Sequence, residues 1–247
     1  RLPGRLRRGL APAARPHDQP PGRVVRTRDG VVAQVLLPTP TGERVLPQLP
    51  HGVPPPRVVS LPRDLAPGTG WAVGGDEARP VPVPTGSVVV LGPPRSGVST
   101  TLGRLLVAAE GAGPTPSTVS VGPGASEADL ARDLTGEVRT VLVDDAHLLA
   151  GTAVEELVLA WAGRTGGRLL VGGDADACAT LYRGLVPHVA RGRTGVLLQP
   201  SSASHGTILG VRPPLGDVRV PGRGVLVERG RTTRIQVAGP ARAAGWW

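Results

Sequence analysis

Beyond residue 86 the chain falls into short aliphatic runs separated by stretches with helical spacing. Residues 87–91, 139–143, 168–171 and 195–199 carry runs of aliphatic side chains without polar alternation, as strands buried on both faces do. Between them, 100–112, 152–163 and 177–188 have the length and composition of helices. Strands joined by helices make a parallel sheet. The expected fold class is therefore α/β, a mainly parallel sheet flanked by helices. The stretch 111–126, rich in Gly, Pro, Ser and Thr, is expected to be a surface loop leading to a short helix at 127–134.

The first third has a different texture. Of the 28 prolines, 17 lie in residues 1–85, too many for long helices. The boundary is expected near Pro84, with a tail over 1–45, a Pro-rich lead-in over 46–85 and the α/β core over 86–247. A repeat runs across this division. Pro21-Gly22-Arg23 followed by Val25 returns 200 residues later as Pro221-Gly222-Arg223 followed by Val225. Each copy continues through a glycine (Gly30, Gly230) to a Gln-Val pair, Gln34-Val35 and, with two extra residues, Gln236-Val237. Both copies read as hairpins, the second closing the core at 221–238. The match is either chance in a chain of biased composition or the mark of a module that ends twice.

That bias governs how the charge is read. The chain has 247 residues, a net charge of +9 and no Lys, Asn, Met or Phe, so all its basic side chains are Arg. A GC-rich coding bias explains this as well as a nucleic-acid surface does. The charge favours polyanions without choosing among them. The single cysteine, Cys178, excludes an internal disulfide, and no apolar run reaches the length of a spanning helix. A cytoplasmic location is expected. Without an initiator Met before Arg1, the chain reads as a piece of a longer protein.

Directly after the first core strand comes Gly92-Pro93-Pro94-Arg95-Ser96-Gly97-Val98-Ser99-Thr100, then a helix. This fits the phosphate-binding pattern G-x-x-x-x-G-K-[ST] at every fixed position except the lysine, which is Val98. A loop between a buried strand and a helix N-terminus gathers backbone N–H groups where the helix dipole also favours an anion. Ser99 is the candidate hydroxyl ligand for Mg²⁺. Val98 supplies neither charge nor donor; Arg95 could lend charge from a different position. Some 45 residues on, the strand at 139–143 ends in Asp144 and Asp145. Asp144 is placed to hold Mg²⁺ through water, and Asp145 to orient an attacking water as the catalytic acid. The plain alternative for the pair is a turn or helix cap, and for the loop a strand–helix connection without ligand.

Other candidates are weaker. Asp174 and Asp176 follow a strand and are more easily read as caps. Arg191 and Arg193 are candidate fingers reaching a neighbour's nucleotide. His51, His147, His188 and His205 show no metal-ligand spacing, and no nucleophile elbow is present.

At 70–76, 90–102, 141–145 and 221–238 the sequence resembles the FtsK/SpoIIIE family of motor ATPases, most of all the tandem modules of actinobacterial type VII secretion ATPases of the EccC type. The resemblance implies a RecA-like P-loop fold, ATP and Mg²⁺ as cofactors, ring assembly (a hexamer) and nucleotide at a subunit interface. It also implies other modules of the same chain as partners, with residues 1–45 as the tail of the preceding one. The transported polymer is then DNA or an exported protein, and any membrane anchor lies outside this chain. Val98 and Asp145 depart from the family pattern, as in its degenerate downstream modules. The expected function is a nucleotide-binding module that hydrolyses weakly or not at all; the alternatives are an active ATPase and a nucleotide-free scaffold. Trp246 and Trp247 are expected to end the chain or to touch something outside it.

Overall fold

The computed structural model describes residues 23–25, 32–34, 59–66, 70–110, 117–216 and 219–239. Trp246, Trp247, His51 and most of the expected tail lie outside them. The chain divides into two compact units, Arg1–Pro55 and Pro56–Trp247. In the first, β1 (Arg23–Val25) and β2 (Val32–Gln34) form an antiparallel hairpin with Arg23 opposite Gln34.

The second unit is built on a nine-stranded mixed sheet, in the order β4-β3-β11-β10-β9-β5-β8-β7-β6. Five strands are parallel: β5 (Val88–Gly92), β6 (Ser117–Val121), β7 (Val138–Val143), β8 (Arg168–Asp174) and β9 (Thr194–Leu198). Four antiparallel strands extend them: the closing hairpin β10 (Arg223–Glu228) and β11 (Arg231–Val237), then β3 (Ala72–Gly74) and β4 (Arg79–Pro80). This is the expected α/β architecture with its closing hairpin. The segment 46–85, expected as a lead-in outside the core, instead adds β3 and β4 to the sheet. Trp71 and Ala72 are buried beside β11, and the Trp71 indole N–H donates to the Val81 carbonyl at 2.9 Å.

Alternate side chains along the central strands enter two separate cores. Val88 and Val90 face α1 (Val98–Glu110) through Leu102, Leu105 and Leu106. Val89 and Leu91 face the layer formed by α2 (Glu127–Asp133), α3 (Ala153–Thr165), α4 (Ala175–Cys178) and α5 (Leu185–Ala190), with Trp161 at its centre. Burial on both faces explains why these strands read as unbroken aliphatic runs.

Two further expectations need correction. The stretch 111–126 is not all loop, because Ser117–Val121 forms the edge strand β6, paired in parallel with β7. An edge strand needs only one apolar face, here Val119 and Val121, so alternation with Ser and Thr hid it. The helix expected over 177–188 is two helices. Pro187 has no N–H and would clash with the carbonyl one turn back, so it sits only in the first turn of a new helix. Gly184, at φ +95°, makes the break.

Candidate functional site

The parallel strands place their carboxyl ends along one edge. There β5 ends at Gly92 and the loop 93–97 leads into α1. Ser96 N–H donates to the Pro93 carbonyl at 3.1 Å, turning the loop back on itself; Arg95 sits in the left-handed region at φ 65° and Gly97 at φ 100°. Thr101 is the first residue of α1 to donate backward, to the Gly97 carbonyl at 2.9 Å. The amides of Val98, Ser99 and Thr100 therefore have no helical acceptor. Pro94 and Arg95 are exposed, Pro93, Gly97, Val98, Ser99 and Thr100 are half-buried, and Gly92 and Ser96 are buried. Among the described residues Ser96 Oγ is a buried polar atom with no partner.

Across the sheet edge, Asp144 follows the last residue of β7. Its Oδ2 accepts a hydrogen bond from Ser99 Oγ at 2.5 Å, and its Oδ1 accepts one from the Asp145 amide at 3.0 Å. This contact crosses a strand. β8 lies between β5 and β7, so the two motifs stand two strand spacings apart, about 10 Å. The crossing is open because β8 carries Gly172 at this level. A Cβ on Gly172 would stand 2.8 Å from Val98 Cγ1 and 3.1 Å from Asp144 Oδ1. The reading of the sequence stopped the strand at Val171 and missed Gly172 and Gly173; a Gly pair at the end of an aliphatic run was the available signal.

A hydroxyl and a carboxylate in contact beside free helix-start amides form a hard oxygen donor set. It suits a small divalent cation that keeps several waters and takes its remaining ligands from phosphate. Val98 turns away from this role. Its side chain packs with Leu102 against the second core, over Gly172.

No family model matches the sequence, and no curated protein matches it. Solved structures match through the fold. The cytoplasmic domain of the Thermomonospora curvata type VII secretion ATPase EccC is 18% identical with a TM-score of 0.52, over 74% of this chain and 28% of that one. EccC ATPases 2 and 3 from the same organism, solved with a signal sequence peptide, give 20%, 0.53, 91% and 54%. EssC ATPases 2 and 3 from Geobacillus thermodenitrificans give 14%, 0.50, 97% and 58%. The chain has the fold of these secretion ATPase domains. It spans 28% and 54% of the two EccC chains, so it corresponds to a part of each.

Within this ATPase fold the remaining candidates separate. Asp145 stands beside Asp144, exposed and at φ 50°, at the start of the 3₁₀ turn Ala146–Leu149. Asp174 pairs in register with Gly92, but its Oδ1 accepts from the Ala177 amide at 2.9 Å and caps α4. Asp176 pairs with the buried His205 at 2.8 Å. Arg191 and Arg193 precede β9, at the opposite sheet edge from the loop. Among the described residues no group of three His, Cys, Asp or Glu could hold a metal by itself, and no helix is long and apolar enough to cross a membrane.

Cys178 is fully buried, and its thiol is pushed up to about 12 by burial first and then by Asp174 and Asp145. The unfolded thiol ionises near its ordinary value of 9.0 while the native one does not. Its contribution to stability is therefore complete below about pH 9 and lost as pH rises toward 12. At pH 8 iodoacetamide is expected to leave the native thiol unmodified and to label it fully in denaturant, read by intact mass.

Proposed function

We propose that the chain is a nucleotide-binding module of an FtsK/SpoIIIE-type translocase, holding ATP on residues 92–100. The observation that carries this reading is the 2.5 Å contact between Ser99 Oγ and Asp144, which joins two motifs 45 residues apart across a glycine gap. In this reading the amides of Gly97 to Thr100 bind phosphate, and Ser99 and, through water, Asp144 hold Mg²⁺. The bound Mg²⁺ would neutralise charge on the β- and γ-phosphate oxygens. Val98 provides no ammonium there, so turnover is slow or absent; Asp145 would orient water with a side chain one methylene shorter than glutamate. Arg95, exposed in the loop, is the group that supports the alternative of an active ATPase.

Residues 1–45 fit the tail of a preceding module, since β1 and β2 align Arg23 with Gln34 as β10 and β11 align Arg223 with Gln236. Ring formation with copies of itself, other modules of the same chain as neighbours and a cytoplasmic location belong to the same reading. Of the two polymers the family moves, the EccC domains solved in complex with a signal sequence peptide favour an exported protein over DNA.

Calorimetric titration of ADP with and without Mg²⁺ tests the site. Mg²⁺ is expected to tighten binding about tenfold in the unmodified chain, equivalent to about 1.4 kcal/mol, and to have no effect in Asp144→Ala. Equal affinity with and without Mg²⁺ in the unmodified chain contradicts the assignment of Ser99 and Asp144. Phosphate release that does not rise in Val98→Lys contradicts the explanation of slow turnover.

A further inference from the structure

The repeated Pro-Gly-Arg…Gln-Val motif has no part in the nucleotide site as described, yet its second copy touches the phosphate loop. The Gly222 amide donates to the Ser96 carbonyl at 2.8 Å. Gly97 lies against the same turn, where a Cβ would stand 3.3 Å from Gly222 N. The neighbouring Arg223 is buried, and among the described residues no carboxylate pairs with it. Its Nε donates to Gln236 Oε1 at 2.9 Å, and its Nη2 donates to the carbonyls of Leu61 at 3.0 Å and Pro62 at 2.8 Å. Gln236 returns a bond from Nε2 to the Pro221 carbonyl at 2.9 Å. Arginine and glutamine thus form a clasp on the backbone of an extended segment.

That segment, 59–66, has no buried side chain. Its hydrogen bonds include those from Arg223, one from the Val59 amide to the Asp76 carbonyl at 2.6 Å, and one from the Gly239 amide to the Leu65 carbonyl at 3.3 Å. A cavity of about 800 Å³ opens beside it, lined by Leu61, Arg63, Asp76, Arg223 and Arg234. A segment attached by polar bonds over a hollow belongs to the part of a structure that opens at low cost. The Gly239 carbonyl in turn accepts from Arg104 Nε at 2.6 Å, and Arg104 is on α1, the helix that starts at the phosphate loop.

We propose that Gly222 and Arg223 are positioning residues of the phosphate loop, and that through them nucleotide affinity and the docking of 59–66 are coupled. The coupling rests on the nucleotide-binding reading above. Its physical origin is the Ser96–Gly97 peptide. In a planar trans peptide the C=O and N–H point in opposite directions. Gly222 holds the carbonyl, and this aims the Gly97 N–H away from the hairpin, toward the bound phosphate. Polarisation along the chain Gly222 N–H, peptide, phosphate strengthens both bonds together. Freeing 59–66 releases Arg223, loosens the turn at Gly222 and lets that peptide rotate. The register of β1 and β2 aligns the same Arg–Gln pair, so the repeat encodes the clasp.

Coupling is reciprocal. Arg223→Gln is expected to bind ADP about fivefold more weakly or worse, and ADP with Mg²⁺ is expected to slow hydrogen exchange across 59–66 of the unmodified chain by a similar factor. The exchange measurement needs no variant, so it decides the matter even if Arg223→Gln does not fold. ADP that raises the melting temperature but leaves exchange at 59–66 unchanged overturns the coupling and spares the nucleotide site. ADP that does not move the melting temperature at all removes the nucleotide reading, and the coupling with it.

Discussion

Gly172→Ala is expected to cost about 1–3 kcal/mol of stability and to abolish the effect of Mg²⁺ on nucleotide affinity. The added Cβ would lie 2.6 Å from Leu102 Cδ1, 2.8 Å from Val98 Cγ1 and 3.1 Å from Asp144 Oδ1. The first two contacts are inside van der Waals distance, in a core that α1 and the central strands already fill, so Leu102 and Val98 must give way. The third pushes the carboxylate off the Ser99 hydroxyl. Gly173→Ala separates the two effects. Its Cβ would meet Cys178 Sγ at 2.7 Å on the other face of the sheet, away from Ser99 and Asp144. It is expected to lower stability by a similar amount and keep the response to Mg²⁺. Urea midpoints and ADP titrations on the two variants check both statements; a Gly172→Ala chain with an intact Mg²⁺ response contradicts the crossing contact.

Glu155→Ala is expected to be somewhat more damaging to the fold, by about 2–4 kcal/mol, while leaving the phosphate loop intact in the molecules that remain folded. Glu155 is buried at 6% exposure on α3. Its Oε2 accepts from the Gly151 amide at 2.8 Å and its Oε1 from the Leu185 amide at 2.7 Å, so one carboxylate joins the start of α3 to the start of α5. Alanine leaves the buried Leu185 amide without an acceptor, at about 1–3 kcal/mol, and a void in addition, while water can reach the exposed Gly151 amide. Gly184 is part of this arrangement, because a Cβ there would collide with the same carboxylate. Glu155→Gln fills the space but turns one NH₂ toward an N–H donor, and about half the loss is expected. A urea midpoint for Glu155→Ala unchanged from the parent contradicts this role.

The central strands and both halves of the candidate site could be read as patterns because their signals are local. Burial on both faces writes itself as Val88-Val89-Val90-Leu91, and the loop at 92–100 is one contiguous pattern. The β6 strand was hidden because an edge strand alternates, and α5 because Pro187 begins a helix instead of extending one. Gly172 acts on Asp144, 28 residues away, Glu155 reaches Leu185, 30 away, and Arg223 reaches Leu61, 162 away. Nothing in the immediate sequence of those residues specifies such partners. The repeat was visible as a pattern, but its meaning waited on the register that sets Arg223 opposite Gln236.

Thermal melting of the unmodified chain with ADP or ATP and Mg²⁺ is the most direct measurement of whether the loop without its lysine still holds phosphate. At a ligand concentration a hundred times the dissociation constant, binding stabilises by about 2.7 kcal/mol. For a chain of this size that is a rise of about 5–10 °C. A rise of this order, diminished in Asp144→Ala, is the expected result. A melting temperature that nucleotide moves only in Val98→Lys contradicts it, and would make the unmodified loop a strand–helix connection without ligand.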